Sequence, residues 1–241
     1  MKWFLATISV LFASSVLADA ELRFDDGSEI LISDGRVMFG DDDSSIIYPG
    51  SGTTMTVLEH ENRRYMIIDE EFVDGVSEQM EAAMAEVQSQ LAMLPPEQRE
   101  RMQAMLKQRM PGARPEVAAR EFRSSGRSEE VSGFTCTSGE LFKDGEKELE
   151  ICVSSPGKLG ISKKDYKSLL AAFSAMSSLV GKFSPGAGEL FDLEVVGGIP
   201  IRSNNFALDK ESRLVWANFE KVDAKRLAVP DDYEQRDPTG M

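Results

Sequence analysis

Two cysteines on either side of a predicted hairpin constrain the fold of this chain more than any other feature. Cys136 and Cys152 are its two cysteines, and Asp144-Gly145 lies between the strand-like segments that carry them. An Asp-Gly pair in this position favours a tight β-turn, because glycine adopts a positive φ without steric cost. The spacing therefore predicts two antiparallel strands with one cysteine on each.

The register of this hairpin predicts a disulfide. A three-residue loop at 143–145 would pair Phe142 with Glu146, and counting outward then places Cys136 directly opposite Cys152. Cross-strand partners have Cβ atoms about 4.5–5.5 Å apart, near the span that a disulfide needs. A bond that closes so short a loop stabilises a fold by about 3 kcal/mol. Because the Cys-x-x-Cys spacing is absent, a structural disulfide is favoured over a redox-catalytic pair. One face of the hairpin is predicted to carry Thr135, Thr137, Leu141, Leu149, Ile151 and Val153.

The N-terminal residues have the pattern of a cleaved export signal. Lys2 supplies a positive charge, residues 3–18 carry no charge, and Ala18-Asp19-Ala20 has the small-x-small pattern of a signal peptidase site. The apolar run is shorter than the ~20 residues needed to span a bilayer. We expect cleavage near Ala20, which leaves a single domain at 21–241 in a bacterial periplasm, where disulfides persist.

The hydrophobic pattern changes its period at Asp69. Before this residue, short strand-like segments are separated by Asp-Gly and Asp-rich turns, which predicts antiparallel strands. After it, apolar residues recur every three or four positions, which predicts an amphipathic helix capped by Asp69. Pro95-Pro96 ends this helix and begins another, which Pro111-Gly112 stops. The predicted result is a helical hairpin at about 72–110 inserted in a β-rich chain.

Strands and a third helix are predicted after the insertion. The helix begins at a capping pattern at 162–165. The polar tail from Pro230 is expected to fray. The fold class is α+β: a curved antiparallel sheet, or half-barrel, with the hairpin and the third helix packed on one face. The predicted strands of this region lie at 116–123, 131–141, 148–153, 190–196, 199–207 and 213–222.

The helical insertion has two interpretations. Strands precede and follow it, its buried face uses Met and Ala more than larger apolar residues, and residues 111–115 are rich in Pro and Gly. Such a face packs adaptably, which favours a mobile lid that opens over a concave surface. A fixed helical layer that covers the sheet explains the same pattern.

Four short segments carry a family resemblance: 59–69 (EHENRRYMIID), 133–136 (GFTC), 198–201 (GIPI) and 229–233 (VPDDY). Together they resemble a family of uncharacterised exported bacterial proteins grouped with the outer-membrane lipoprotein carrier superfamily of half-barrels. The resemblance implies a strongly curved sheet with helices on its concave side, where the better-known relatives hold acyl chains. The arginine that holds those carriers closed maps onto no single residue of this sequence, so the resemblance implies a fold and not a site.

Composition and motifs argue against catalysis and nucleic-acid binding. The net charge of −14 repels nucleic acid and anionic membrane surfaces, and no apolar segment after residue 20 has the length of a membrane span. His60 is the only histidine and lies in a predicted surface turn, which excludes histidine-based triads and multi-histidine zinc sites. Residues 41–43 lack the alternating ligands of a calcium loop and are interpreted as a solvated turn. We expect no catalytic residue, no bound metal and no cofactor.

The methionines of the helical insertion are the most distinctive candidate residues. Methionine packs cores, forms adaptable hydrophobic surfaces and binds Cu(I) through its thioether. The sequence predicts a non-enzymatic binding or carrier-like protein for a hydrophobic ligand, such as an acyl chain, a lipid, or a lipidated or unfolded peptide. The alternative is a module that uses the Met-rich hairpin to bind an envelope protein or Cu(I). The predicted ligand-binding residues are Met80, Met84, Met102, Met105, Phe173 and Met176.

Overall fold

The sheet and helices are known from a computed structural model that describes residues 19–96, 98–99, 101–102, 120–183, 193–205 and 210–236. The helices are α1 (Glu70–Ala92), α2 (Lys163–Phe183) and α3 (Leu193–Val196), with 3₁₀ turns at Pro156–Leu159 and Ala224–Leu227. None of the helices within these residues is both long and apolar enough to cross a membrane. The strands are β1 (Ala20–Phe24), β2 (Glu29–Ser33), β3 (Arg36–Gly40), β4 (Ser44–Tyr48), β5 (Met55–Glu59), β6 (Arg64–Ile68), β7 (Arg120–Val131), β8 (Phe134–Lys143), β9 (Glu146–Ser154), β10 (Ile199–Asn205), β11 (Lys210–Asn218) and β12 (Glu234–Gln235).

The strands form one open sheet in which distant parts of the chain meet in the middle. The order is β12-β6-β5-β4-β3-β2-β1-β11-β10-β9-β8-β7. Neighbouring strands are antiparallel, except that β12 runs parallel to β6. β1 pairs with β11, so the first strand joins the last long one at the centre of the sheet. The predicted α+β class with an antiparallel sheet is therefore confirmed.

One face of the sheet, called here the inner face, is covered by α2. Leu169 and Ala172 of this helix are fully buried in a large apolar cluster with Leu22 and Leu214 from the central strands. Burying a leucine side chain contributes about 1.5–3 kcal/mol, so this layer is a principal source of stability. α1 lies beside α2 and also contacts β6.

On the opposite, outer face, a second apolar cluster of described residues covers part of the sheet. In β2 and β3, strand alternation points Leu31 and Met38 to this face, where they pack against Val222 and Leu227. The polar tail, which was expected to fray, is instead folded as far as residue 236, because β12 adds to the edge of β6. Residues 237–241 lie outside the described range.

The predicted disulfide is present, although the cysteines are not directly opposite each other. Cys136 and Cys152 are bonded and their Cα atoms are 5.5 Å apart. Cys152 pairs across the hairpin with Ser138, so Cys136 lies diagonally, two residues along β8. Leu141 pairs with Leu149, and Thr137 pairs with Val153. The residues that were predicted to share one face of the hairpin therefore do so.

The difference in register comes from the turn and from a bulge between Leu141 and Phe142, each of which shifts the pairing by one residue. Asp144 and Gly145 both have positive φ, at 51° and 84°, and they form a two-residue turn that pairs Lys143 with Glu146. An Asp-Gly pair suits this turn because both of its central residues need positive φ. The expected pairing of Phe142 with Glu146 is therefore wrong.

Two of the predicted strands are also corrected. Residues 193–196 form α3 rather than a strand, since Leu193 and Val196 are three residues apart and both are buried on one helical turn. Residues 120–123 of the strand predicted at 116–123 belong to a longer strand, Arg120–Val131, that continues to the turn before β8, and residues 116–119 lie outside the described part of the chain. β7 is an edge strand with a bulge near Gly126 and mostly exposed residues, so it lacks the alternation by which a strand is recognised.

Candidate ligand pocket

A pocket of about 370 Å³ opens on the inner face, between α2 and the central strands. This volume falls in the range of about 300–1,000 Å³ that is typical of small-molecule sites. Its polar lining residues lie next to one another and are called here the rim, because Ser203 pairs with Ser212, Asn205 pairs with Lys210, and Lys210 contacts Asp26. The apolar walls include Ile30, Leu149, Leu169, Phe173, Leu193 and Ile199.

The pocket lies where β1, β2, β9, β10 and β11 come together under α2. Phe173 is held in place by an edge-to-face contact with Phe39, at a centroid distance of 4.8 Å, a geometry that aromatic rings favour. On the strand side, Ile199 is 1% exposed and Leu169 of α2 is completely buried. These wall residues are thus part of the hydrophobic core of the protein.

An ion pair marks the rim of the pocket. Lys210 Nζ lies 3.3 Å from Asp26 Oδ2, and the Lys210 side chain is 63% exposed while that of Asp26 is 14% exposed. The other oxygen of Asp26 accepts hydrogen bonds from the Ser28 hydroxyl and amide at 2.6 and 3.1 Å. Burial alone would raise the pKa of Asp26, but the bonds from Ser28 and the charge of Lys210 outweigh it and lower this pKa. Asp26 therefore stays ionised to more acidic pH than an ordinary aspartate.

The structure separates the predicted ligand-binding residues into two groups. Phe173 lines the pocket, and Met176 packs against the inner-face cluster one helical turn away. Met84 on α1 and Met102 are exposed, by 36% and 46%. The side chain of Met80 and the whole of Met105 lie outside the described part of the chain. The pocket is thus formed without a methionine among its described lining residues.

Helix α1 is anchored at its start and exposed along most of its length. Asp69 caps it as predicted, accepting a bond from the Phe72 amide at 2.9 Å, and Val73 is fully buried. Every described side chain between residues 78 and 90 is exposed. Near the end, Arg99 donates to the carbonyl oxygens of Leu91, Ala92 and Leu94. The predicted insertion therefore begins inside the core, and α1 contributes no described residue to the pocket lining.

His60, expected to be an isolated surface residue, instead connects two parts of the fold. Its Nε2 lies 2.7 Å from Ser45 Oγ on β4, and its Nδ1 lies 2.8 Å from the Tyr233 hydroxyl in the C-terminal segment. Ser45 is 5% exposed, and a phenol stands where a hydrolase triad would have a carboxylate. The arrangement fastens the C-terminal segment to the sheet and does not present a nucleophile to solvent.

Of the predicted ligand-binding residues, Phe173 lines the pocket, and among the lining residues that were not predicted, Lys210 and Asp26 carry the charges. Asp26 belongs to an Asp-Gly turn, and Lys210 falls between two predicted strands, at 199–207 and 213–222. These two residues become neighbours only because β1 pairs with β11. No local spacing could have shown this, whereas the helical period of α2 did indicate Phe173.

The described residues include no cluster of three or more His, Cys, Asp or Glu side chains that could hold a metal ion. The acidic turn at 41–43 is stabilised internally, because Asp41 accepts bonds from the amides of Asp43 and Ser44. Comparison with family models, with curated proteins and with solved structures finds no match for the chain.

Proposed function

We propose that the chain is a non-enzymatic binding or carrier-like protein that holds a hydrophobic ligand in the α2 pocket. The observation that carries this proposal is the pocket itself, which combines apolar walls from the hydrophobic core with a polar rim. Such a combination is the usual form of a small-molecule site. In this proposal the sheet acts as a half-barrel, the ligand is an acyl chain or another lipid, and the inner face receives it beside α2.

Native mass spectrometry of the protein purified from cells tests this function. We expect a lipid-sized adduct that survives gentle ionisation and is released by organic extraction. Protein that carries no adduct and also fails to take up lipid from added vesicles would refute the proposal.

An alternative function is supported by the exposure of α1. Met84 and Val87 face solvent at 36% each, and Met93 does so at 83%, so this helix presents an adaptable apolar surface. Such a surface suits an envelope protein partner or, through the thioethers, Cu(I). Stoichiometric Cu(I) uptake by lipid-free protein in the same mass spectra would favour this alternative over the pocket.

We also propose that the chain is exported to an oxidising compartment. The signal peptide would be cleaved after Ala18, two residues before the site that the small-x-small pattern indicates. Ala20 is fully buried and pairs with Ile32. Asp19 is also buried, and its carboxylate accepts a bond from the Val222 amide at 2.8 Å. Cleavage after Ala20 would remove both residues, so these contacts favour cleavage after Ala18.

The intact mass of the exported protein tests the cleavage site. A chain that starts at Asp19 supports cleavage after Ala18. A chain that starts at Glu21 contradicts it, and a chain that keeps residues 1–18 contradicts export by a cleaved signal.

A further inference from the structure

We infer that the ligand of the α2 pocket is an amphiphile with an alkyl tail and an anionic head, and that Lys210 is the counterion of this head. The inference rests on the proposed function and adds the chemical class of the ligand. It follows from where the polar groups lie and from how firmly each charge on the rim is already held.

The polar side chains that line the pocket are grouped together on neighbouring strands and the adjoining turn. Its walls are formed by side chains such as Leu169, Phe173 and Ile199, whereas its charged groups, Asp26 and Lys210, lie together at the rim. An alkyl chain gains about 0.8 kcal/mol for each methylene that it buries. A ligand that fits both parts therefore has an apolar tail and a polar head at one end.

The two charges at the rim differ in how easily they change partners. The side chain of Asp26 is less exposed than that of Lys210, and it is held by two bonds from Ser28 in addition to Lys210. Lys210 is mostly exposed, and Asp26 is the partner that it contacts at 3.3 Å. An exposed ion pair contributes little to stability, so the lysine can turn to a ligand at small cost. Lys210 is therefore the charged group at the rim that can turn to a ligand.

Nearby hydroxyl groups complete the anion-binding character of the rim. Ser203 and Ser212 are cross-strand partners on β10 and β11, and both line the pocket beside Lys210. A hydroxyl can donate to an anion, and bonds to charged groups are stronger than neutral ones. The chain as a whole has a net charge of −14, so an anionic ligand requires a local cation of this kind.

Calorimetric titration of the full-length mature protein with four amphiphiles of the same chain length tests this inference. The probes are dodecanoate, dodecyl phosphate, dodecanol and dodecyltrimethylammonium, each below its critical micelle concentration. We expect the two anions to bind about tenfold more tightly than the alcohol, because a charge-assisted hydrogen bond contributes about 1.5–3 kcal/mol. The cation should bind most weakly. Comparing carboxylate with phosphate distinguishes a fatty acid from a phospholipid as the natural source of the head.

Variants at the rim assign the effect to Lys210. Lys210→Met should bind dodecanol as before and lose the preference for anions, and Lys210→Arg should keep that preference. Asp26→Asn removes the competing carboxylate and should strengthen binding of anions. Lys225→Met is the matched control, since Lys225 is exposed in the turn at Ala224–Leu227 on the outer face. Unchanged melting temperatures would show that these exposed substitutions leave the fold intact.

The outcomes of these titrations distinguish a failure of the inference from a failure of the proposed function. If all four amphiphiles bind equally, or if Lys210→Met keeps the anion preference, the inference is wrong while ligand binding stands. If the cation binds most tightly, the head group of the ligand pairs with Asp26 and not with Lys210, and the inference is wrong. If none of the four binds, the proposed function fails and the inference fails with it.

Discussion

The outer face of the sheet is stabilised in different ways at its two ends. In β2 to β5, Leu31, Met38, Ile47 and Leu58 are buried on this face under the C-terminal segment. In β8 and β9, strand alternation places the disulfide on this face together with the pair Lys147–Glu140 at 2.6 Å, although both cysteines also belong to the large buried cluster. Apolar burial thus stabilises the end that the C-terminal segment covers, whereas the end that no described apolar segment covers, called here the uncovered half, has a covalent bond and surface ion pairs. The central strands between these ends hold the pocket.

Truncating a leucine in the covered half should have the largest effect. Leu31→Ala removes a fully buried side chain and should lower the free energy of unfolding by about 2–5 kcal/mol, because the cavity cannot fully collapse. Denaturant unfolding followed by circular dichroism measures this. Val215→Ala, at a strand position that is 52% exposed, is the control and should change little. Equal effects of the two substitutions would contradict the account of the covered face.

Removing the disulfide should have the next largest effect. The bond joins residues 16 positions apart, so Cys136→Ala combined with Cys152→Ala should cost about 3 kcal/mol of unfolding free energy. Wild-type protein unfolded in a reductant should show a similar loss, while the double variant should not respond to the reductant. Denatured, non-reduced wild-type protein should contain no free thiol. An unchanged unfolding midpoint in the variant would show that the uncovered half does not depend on the bond.

A smaller effect is expected where the C-terminal segment is fastened. Tyr233→Phe keeps the ring but removes the hydroxyl that bonds to His60, and should cost about 0.5–1.5 kcal/mol. Tyr65→Phe is the control, because its hydroxyl makes a longer, exposed bond of 3.3 Å to Gln235. Hydrogen exchange of the β12 amides should rise in the first variant and not in the second. If Tyr233→Phe changes neither the free energy of unfolding nor the hydrogen exchange of β12, apolar packing alone holds the C-terminal segment.

The smallest effect is expected for a surface charge in the uncovered half. Lys147 contacts Glu140 and Glu150 at 2.6 and 3.5 Å, but exposed ion pairs are weakened by solvent and salt. Lys147→Met should leave the unfolding midpoint in physiological salt unchanged within error. A marked loss that disappears at high salt would show that charges, and not the disulfide alone, stabilise this half.

The sequence predicted those features that depend on local pattern. The disulfide, the cap at Asp69, the helical period of α2 and the turn at Asp144-Gly145 are each encoded within a few residues. The exact pairing of the hairpin was missed because a three-residue loop was assumed in place of the two-residue turn at Asp144-Gly145, and because the bulge between Leu141 and Phe142 has no local sequence signal. β7 was assigned too short because an exposed edge strand has no alternating face.

The pocket was only partly predictable for a different reason. Phe173 was identified from helical spacing, but Lys210 and Asp26 are brought together by the pairing of β1 with β11. Contacts between residues so distant in sequence leave no periodic signal. The methionines drew attention by their number, yet those that are described on and near α1 lie away from the pocket lining.

Filling the pocket tests most directly whether it is the ligand site. Ser203 lines it from β10, so Ser203→Trp should occupy its volume without removing a core side chain. Ser178→Trp, on an exposed position of α2, introduces the same residue away from the pocket. In a calorimetric titration with dodecanoate, we expect Ser203→Trp to abolish binding while Ser178→Trp binds as the wild type does, with equal melting temperatures. Wild-type affinity in a folded Ser203→Trp variant would contradict the assignment of the α2 pocket as the ligand site.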